Sequence, residues 1–331
     1  MTLKDIAKIT ETTASTVSKA FRDSKEISEE TKAKIFDAAR ALGCFEKYYR
    51  GKRGGKIVGI ICPEPESEIY GITVGAIERA LHKRGVETLV GISRFDPKRA
   101  KDIYSSMVYR ARVDGIISLC EIERINDIEY VPTVLMGDSQ KNDSIGINIV
   151  IRVDEAINEL IAILKSEGYK RIGFIGESLT KSRLTAFKHA MRKNGLPLYE
   201  ENIFVAQNTR FAEAGIEGML SFIKSGATPE VIITAYDNIA FGAMKVAREN
   251  GFSIPDDVSF IGINDITTSE YTSVSLSSIS TSYKDFAASA VNILLEEIGG
   301  NGGKRLEHKF QIPAKLQFRQ STKINDEHPD N

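Results

Sequence analysis

The sequence predicts an α/β protein in which a short helical head precedes a longer body built on parallel β-sheets. From residue 57 onward, apolar segments of strand length alternate with amphipathic segments of helix length, which is typical of parallel sheets joined by right-handed crossovers. Before residue 46, apolar residues recur at helical spacing. Charge divides in the same way, since residues 1–56 carry a net +5 and residues 57–331 a net −6. A basic head on an acidic body suggests that the head meets a polyanion.

The composition is that of an ordinary globular protein, with 42% hydrophobic and 27% charged residues among 331. At about 150 residues per domain, this length predicts two or three compact units. Cys44, Cys62 and Cys120 lie far apart and match no metal or redox spacing, as in a reducing cytoplasm. No apolar run reaches about 18 residues and no apolar leader follows Met1, so we expect a cytoplasmic protein without a membrane span or signal peptide.

Three short helices are predicted in the head. Thr2 can cap the first, with Asp5 three residues later as the reciprocal acid of a capping box. The second runs from about residue 14 to 21. Ser28 caps the third, which Gly43 ends.

The second helix is the candidate DNA-reading element. Its apolar residues point one way, while small hydroxyl side chains and the cations Lys19 and Arg22 point outward. Small polar side chains let a helix enter the major groove, and cations reach base edges or phosphates. The alternative is a small interaction bundle whose hydroxyl groups are simply exposed.

The segments TLKDIA, STVSKAF and ISEETKAKIFDAARALG resemble the N-terminal domain of the LacI/GalR family of bacterial repressors over almost all of residues 2–43. The resemblance implies a three-helix, λ-repressor-like helix-turn-helix domain over residues 1–45 and double-stranded DNA as the partner. Because one head reads one half-site, a homodimer or higher oligomer on a near-palindromic operator follows. Residues at base-reading positions are Ala14, Ser15 and Lys19; those at phosphate-holding positions are Thr2, Thr13, Thr16, Ser18, Arg22, Ser28 and Thr31.

The chain departs from this family pattern at two places. Glu11 stands where the family often has a turn glycine, and Thr12 where it has an apolar residue. The linker, residues 46–56, lacks the Pro-Asn start and the wedge leucine of the family's hinge helix. Its glycines oppose helix formation, which favours a flexible basic tether, although Tyr48 or Tyr49 remains a candidate wedge.

The body, residues 57–331, is predicted to form two α/β lobes with a ligand cleft at the carboxyl ends of their strands. Strands are expected at 57–62, 86–92, 114–119 and 132–137, and, after a crossover near 146–152, at 171–176, 203–207, 229–236 and 258–265. The first lobe is expected to cover about 57–149 and 282–309, and the second about 150–281 and 310–322.

The main rival for such a body is an enzyme, and the sequence offers little support for it. It contains no phosphate-binding loop, no nucleophile elbow and no H-E-x-x-H motif. His82, His189, His308 and His328 are isolated. We therefore predict no catalysis, no metal site and no cofactor.

The body resembles the type I periplasmic-binding-protein-like core of the same family, in segments such as EGYKRIGFIGE, SRLTAFKHAM and KLQFRQST. The resemblance implies a small-molecule effector, with a sugar as the usual class. The implied effector residues are Glu64, Ser67, Tyr70, Arg152, Arg183, Arg210, Tyr236, Asp237 and Asn264. Asn264 replaces the usual Asp, Arg152 stands near an Asp position, and Arg210 stands near an aromatic position.

These replacements leave the effector class open. Arg152, Arg183 and Arg210 together suit a carboxylate or phosphate, because a guanidinium donates in a fork that matches these anions. The alternative is that Glu64, Asp237 and Asp265 compensate the arginines. The predicted function is an effector-controlled repressor, responsive to a carbohydrate or its acidic or phosphorylated derivative. The alternative is a sensor that has lost DNA binding.

Overall fold

The head is a three-helix unit in the computed structural model, which describes residues 1–21, 24, 26–45, 48, 55–122, 131–137, 146–226, 228–299 and 309–324. Its helices are α1 (Leu3–Ile9), α2 (Ala14–Ala20) and α3 (Glu29–Ala41). They enclose a small core that includes Ile6, Val17, Ala20, Ile35 and Ala39. The predicted second helix thus ends one residue earlier than expected.

An aromatic cluster extends this core past the third helix. The Phe21 ring centroid lies 5.2 Å from that of Phe36 and 5.8 Å from that of Tyr48. The Tyr48 hydroxyl donates to the main-chain oxygen of Met1 at 2.9 Å. The head therefore includes Tyr48, three residues beyond the predicted end at 45, because its ring completes the aromatic core. Tyr49 and most of the linker lie outside the described residues.

The body contains two six-stranded sheets, and the first is parallel throughout. Its strand order is β11-β5-β4-β3-β1-β2. The strands are β1 (Ile57–Cys62), β2 (Glu87–Ile92), β3 (Gly115–Ser118), β4 (Thr133–Gly137), β5 (Ile147–Arg152) and β11 (Lys309–Pro313).

The second sheet has the order β12-β10-β9-β8-β6-β7 and is parallel except for the antiparallel pair of β10 with β12. The strands are β6 (Ile172–Glu177), β7 (Ile203–Ala206), β8 (Val231–Thr234), β9 (Ser259–Asn264), β10 (Ser277–Ser280) and β12 (Lys315–Gln317).

Helices pack around both sheets and supply the rest of the buried apolar core. In chain order they are α4 (Glu68–His82), α5 (Pro97–Ser106) with a π-helical turn at Met107–Ala111, α6 (Val153–Ser166), α7 (Lys181–Lys193), a 3-10 turn at Glu200–Asn202, α8 (Phe211–Ser225), α9 (Asp237–Glu249), α10 (Thr268–Tyr271) and α11 (Tyr283–Ile298).

The lobe boundaries lie a few residues beyond the predicted ones. Residues 147–152, predicted as a crossover, form β5 in the interior of the first sheet, and β11 at 309–313 pairs with β5. The first lobe thus extends to Arg152 and Pro313, because each strand is held along its whole length by its parallel neighbour. The chain passes between lobes at residues 152–153, 281–283 and 314.

This topology places the candidate cleft. The carboxyl ends of the parallel strands of the first sheet face those of the second sheet, so the residues that follow each strand line the gap between the lobes. Among the described residues, no helix is both long and apolar enough to span a bilayer.

Candidate functional site

Helix α2 presents a polar face on the surface of the head. Val17 and Ala20 are buried, whereas Ser15 is exposed and Lys19 keeps 44% of its side chain exposed. Thr13 caps the helix, its hydroxyl accepting from the Thr16 amide at 3.1 Å. Hydroxyl groups and one cation therefore stand on a short, well-capped helix.

Lys19, a predicted base-reading residue, is held by an acid. Its ammonium forms an ion pair with Glu26, and this hydrogen bond lowers the pKa of the Glu26 carboxyl. DNA contact through Lys19 would require this pair to open. The other predicted cation of the recognition segment, Arg22, lies outside the described residues.

Most of the remaining predicted DNA contacts lie at helix starts; Ser18 is the fifth of the seven residues of α2. Thr2 and Asp5 form the expected reciprocal contact, with the Thr2 amide donating to Asp5 Oδ2 at 2.6 Å. Ser28 caps α3 by accepting from the Thr31 amide at 3.2 Å. Thr16 and Ser18 lie on α2, which begins at Ala14. Helix N-termini are favourable places for phosphate, so these positions remain consistent with the predicted role.

In the cleft, Arg210 joins the two lobes. Its guanidinium donates twice to Glu64 of the first lobe, with Nη1···Oε2 at 2.6 Å and Nη2···Oε1 at 2.9 Å. Its Nε donates to Oε1 of Glu177, the last residue of β6, at 3.0 Å. Tyr236 donates its hydroxyl proton to the other oxygen of Glu177 at 2.7 Å. We call Arg210, Glu64, Glu177 and Tyr236 the interlobe clasp.

The two acids of the clasp are buried, whereas Arg210 keeps 32% of its side chain exposed. Glu64 is 4% exposed and Glu177 1%. The hydrogen bonds that Arg210 donates to Glu64 and Glu177 raise the pKa of Arg210. Burial and the hydrogen bond that Tyr236 donates to Glu177 raise the pKa of Tyr236. Phenyl rings cover the guanidinium, since the Arg210 Cζ lies 5.4 Å from the Phe95 ring centroid and 4.5 Å from that of Phe211. The Arg210 guanidinium therefore links the two lobes through its contacts with Glu64 and Glu177.

Asp237 is a buried carboxyl that neutral groups satisfy. Its Oδ1 accepts from the Ser278 hydroxyl at 2.6 Å, and its Oδ2 from the Ile266 amide at 2.9 Å. Burial raises its pKa to about 7. Asp237 thus supports the turn after β9 from inside the second lobe.

A cavity of about 160 Å³ lies beside the clasp. Its walls come from the first lobe, from the crossover segments and from α7. The lining residues are Ile69, Tyr70, Thr73, Leu119, Met136, Gly137, Ile151, Val153, Arg183, Thr281, Tyr283 and Phe286. Of the predicted effector residues, Tyr70 and Arg183 line this cavity.

Asn264 supports the polar wall from behind. Its Oδ1 accepts from Arg183 Nη2 at 3.0 Å and from the Tyr283 hydroxyl at 2.8 Å. The other Arg183 nitrogen, Nη1, donates to the main-chain oxygen of Ala235. Asn264 therefore fixes two side chains that face the cavity.

Two other predicted effector residues do not reach the cavity. Arg152 pairs with Asp154, Nε···Oδ1 3.0 Å, and with Glu155, Nη2···Oε1 2.8 Å. Ser67 is the residue that precedes α4. The expectation of a multiply cationic cleft is therefore wrong, because carboxylates engage both Arg152 and Arg210. The alternative was that nearby acids compensate the arginines. Glu64 does so for Arg210, whereas Asp265 pairs with Arg319.

Left-handed backbone conformations concentrate at the cleft. Non-glycine residues with positive φ there are Arg94 (58°), Phe95 (58°), Phe211 (55°), Asn264 (113°), Asp265 (55°) and Ser282 (41°). Such conformations cost on the order of 1 kcal/mol or more each and collect at ligand sites, where the surrounding structure enforces them. Their clustering marks this edge of the sheets as a binding region.

Sequence reasoning missed Glu177, Tyr283 and Phe286. A carboxylate at the carboxyl end of a buried strand was a readable signal for Glu177, because this position lies at the cleft edge. Tyr283 and Phe286 lie in the helix that follows the strand at 277–280. Aromatic residues in such a helix are ordinary packing residues, so no local signal identified these two as cavity-lining residues.

Family models match both parts of the chain. Residues 2–44 match the model described as bacterial regulatory proteins, lacI family. Residues 161–322 match the periplasmic binding protein-like domain. Within the described residues, no group of three His, Cys, Asp or Glu side chains could hold a metal ion.

Whole-length relatives are regulators. The chain is 28% identical over 334 aligned residues to the HTH-type transcriptional repressor PurR of Actinobacillus pleuropneumoniae serotype 3, and 26% identical to the HTH-type transcriptional regulator DegA of Bacillus subtilis. Both alignments cover 97% of this chain and 98% of the relative.

Solved structures share the fold. A lac repressor dimer bound to operator and the anti-inducer ONPF matches with a TM-score of 0.73 at 19% identity, covering 97% of this chain and 99% of that one. A complex of the transcriptional regulator CelR with cellobiose matches with a TM-score of 0.67 at 19% identity over the same shares.

Proposed function

This chain belongs to the lacI family of bacterial regulatory proteins, and we propose that it is a sequence-specific DNA-binding repressor controlled by a small molecule in the interlobe cleft. The observation that carries the proposal is the capped helix α2, whose Ser15, Ser18 and Lys19 stand outside a core formed by Val17 and Ala20. Side chains of this size and polarity suit the major groove. The net +5 charge of residues 1–56 favours the phosphate backbone.

A second copy of the chain is the proposed partner on DNA. One helix-turn-helix head reads one half-site, so a near-palindromic operator requires two. Strand β2 is an edge of the first sheet and exposes Leu89 and Val90 by 42% and 45%. Apolar edge strands are usually covered. The lac repressor that shares this fold was crystallised as an operator-bound dimer.

The oligomeric state can be tested at this edge. Replacing Leu89 and Val90 together with Glu and Lys should convert a dimer to a monomer in light-scattering measurements at micromolar concentration and weaken operator binding. The matched control is the same pair of replacements at Leu179 and Tyr199, which are also exposed. A monomeric native chain, or an unaffected dimer in the Leu89/Val90 variant, would refute this interface.

The effector is proposed to bind in the 160 Å³ cavity, between the clasp and the crossover segments. Of the classes that the sequence left open, an acid is favoured over a neutral sugar, because Arg183 is the cation among the described lining residues. Binding here would change the relative position of the lobes and hence of two heads in a dimer.

Selection of binding sequences from random duplex DNA tests the proposal. Native protein should enrich a near-palindrome, and Lys19→Ala should weaken its binding by about tenfold. Lys34→Ala is a matched control, because Lys34 is also an ion-paired surface lysine, 3.0 Å from Glu30 on α3. Failure to enrich any sequence would favour the alternative of a sensor without DNA binding.

A further inference from the structure

A cluster of aromatic rings holds the end of helix α2 in the head. Phe21 caps this end, and its amide donates to the main-chain oxygen of Val17 at 3.1 Å. Phe21 is 4% exposed, and its ring centroid lies 5.2 Å from that of Phe36 on α3. The rings of Phe45 and Tyr48 lie 5.9 and 5.8 Å from the same centroid. The end of α2 is therefore held by residues that follow α3 in the chain.

A turn at Gly43 directs those residues back onto the head. Gly43 has a φ of 65°, in the left-handed region where a side chain would be strained. Its amide donates to the main-chain oxygen of Arg40 at 2.9 Å, and the Cys44 amide donates to that of Ala39 at 3.0 Å. This pair of bonds is the Schellman arrangement, which ends a helix and turns the chain. Cys44 is 5% exposed, so the chain enters the core of the head directly after the turn.

Tyr48 connects two parts of the head that are distant in sequence. Its ring packs against Phe21 at the end of α2. Its hydroxyl donates at 2.9 Å to the main-chain oxygen of Met1, which directly precedes the Thr2 cap of α1. One side chain thus joins the start of α1 to the end of α2. Because the core of the head is small, a contact of this kind is a large share of what fixes α2 relative to α1.

Base reading by α2 depends on this placement more than phosphate contact does. Ser15 and Lys19 lie on α2, between its cap at Thr13 and Phe21. A hydrogen bond to a base edge needs a donor–acceptor distance of about 2.7–3.2 Å, so a shift of the helix by roughly 1 Å breaks it. Attraction between long cationic side chains and the phosphate backbone tolerates such a shift, because it requires no fixed geometry.

We propose that Tyr48 is a positioning residue of the DNA-binding head, which fixes α2 for base reading and stays packed in the head when the protein is on its operator. The inference rests on the proposed function, since it concerns how the same head reads DNA. It gives Tyr48 a role different from that of a wedge in the minor groove. A wedge would have to give up the contacts with both Phe21 and Met1 in order to enter the base stack.

Tyr48→Ala in the full-length protein removes the ring and the hydroxyl together. In gel-shift titrations, affinity for the selected operator should fall at least about tenfold, which is the size of the loss from one mismatched base pair. Affinity for a duplex of shuffled sequence should change less than about twofold, because phosphate attraction supplies non-specific binding. A loss of folded protein would lower both affinities by the same factor, so the ratio of the two separates positioning from unfolding.

Two further variants bracket this result. Tyr48→Phe keeps the ring against Phe21 and loses only the hydrogen bond to Met1, so it should retain operator affinity within about threefold of the native protein. Tyr271→Ala is the control, because Tyr271 lies in the body and is 75% exposed. It should leave both affinities unchanged. Circular dichroism spectra should confirm that all three variants fold.

A fluorescent base, 2-aminopurine at the central step of the operator, tests the wedge directly, because its emission rises when the step is unstacked. Any rise produced by saturating native protein should be equally large with saturating Tyr48→Ala. A rise that disappears in this variant, or an unchanged ratio of operator to shuffled-duplex affinity, would overturn the inference. Enrichment of an operator together with either result would reject the role of Tyr48 alone, whereas absence of any operator would reject the proposed function.

Discussion

Two arginines of the second lobe face the same cleft, and their surroundings differ. Arg210 donates to two buried carboxylates, those of Glu64 and Glu177, and thereby ties the lobes together. Arg183 lines the cavity and donates to the main-chain oxygen of Ala235 and the amide oxygen of Asn264. The first arginine is part of the closing contact, and the second is part of the cavity wall.

This difference separates charges that hold the structure from charges that can recognise a ligand. A cation that pairs with buried acids is costly to remove, since its removal leaves their carboxylates without compensation. Arg183, in contrast, donates to two neutral oxygen atoms, those of Ala235 and Asn264. Arginine in the cleft is therefore not by itself a sign of an anionic effector.

The largest expected effect is loss of the clasp. Arg210→Met keeps an apolar stem at this position but removes the guanidinium from Glu64 and Glu177, so unfolding in urea should show a loss of about 3 kcal/mol. Arg152→Met is the matched control. Asp154 and Glu155, the acids beside Arg152, are more than half exposed, so this variant should lose less than about 1 kcal/mol.

Removal of the acids as well should restore part of the loss. In the triple variant Arg210→Met, Glu64→Gln, Glu177→Gln no buried carboxylate remains uncompensated in the clasp, so stability should recover relative to Arg210→Met. If Arg210→Met and Arg152→Met lose the same amount, the distinction between a closing arginine and an ordinary surface arginine is wrong.

Asp237 extends the comparison to the effect of pH on stability, because the hydrogen bonds to its carboxyl come from neutral groups, the Ile266 amide and the Ser278 hydroxyl. Burial raises its pKa from 3.8 to about 7, so the folded protein binds a proton that the unfolded chain has released between these values. The free energy of unfolding should therefore fall as pH rises from about 4 to about 7, by roughly 1 kcal/mol per pH unit, and level off above.

Asp237→Asn isolates this contribution. An amide can accept from the Ile266 amide and donate to the Ser278 hydroxyl, and it does not titrate. As pH rises from about 4 to about 7, the free energy of unfolding of the native protein should therefore fall relative to that of the variant. A difference that stays constant from pH 4 to 8 would contradict the assignment.

The sequence predicted the fold class and the elements better than the contacts between them. The helix caps at Thr2 and Ser28 and the strand–helix alternation depend on neighbouring residues, so local patterns revealed them. Strand β5 was missed because INIVIR is followed immediately by a helix, without a turn residue that would mark a strand end. Tyr48 was assigned to the linker because its contact with Met1 spans 47 positions.

Only part of the site was predicted, because several of its contacts join residues that lie far apart in the chain. The family motif predicted Arg183 as an effector residue; in the structure it lines the cavity, and its role in effector binding stays a prediction. The partners of Arg210 lie 146 and 33 positions away in the chain, so no spacing rule could identify them. Whether an arginine is compensated depends on the tertiary fold, and for this reason the sequence alone left open whether the cleft carries an excess of positive charge.

The exposed ion pair of the head extends the comparison to a surface site. Glu26→Gln removes the acid that holds Lys19, and it also removes a negative charge beside the recognition helix. Affinity for the selected operator should rise about threefold at low salt, with the gain fading as salt increases, because exposed charges are screened. Unchanged binding in gel-shift titrations would contradict this expectation, and weaker binding would show that Glu26 positions Lys19 for base contact.

The smallest expected effect concerns Glu11, an exposed acid in the turn between α1 and α2. Its φ of 52° lies in the left-handed region that favours glycine. Glu11→Gly should relieve this conformation at some entropic cost and stabilise the protein against thermal unfolding by about 0.5 kcal/mol. Glu11→Gln removes the same charge but keeps a side chain on the left-handed backbone, so it separates the two contributions. If the strain argument holds, only the glycine variant is stabilised, and equal stabilisation of both variants would assign the effect to charge.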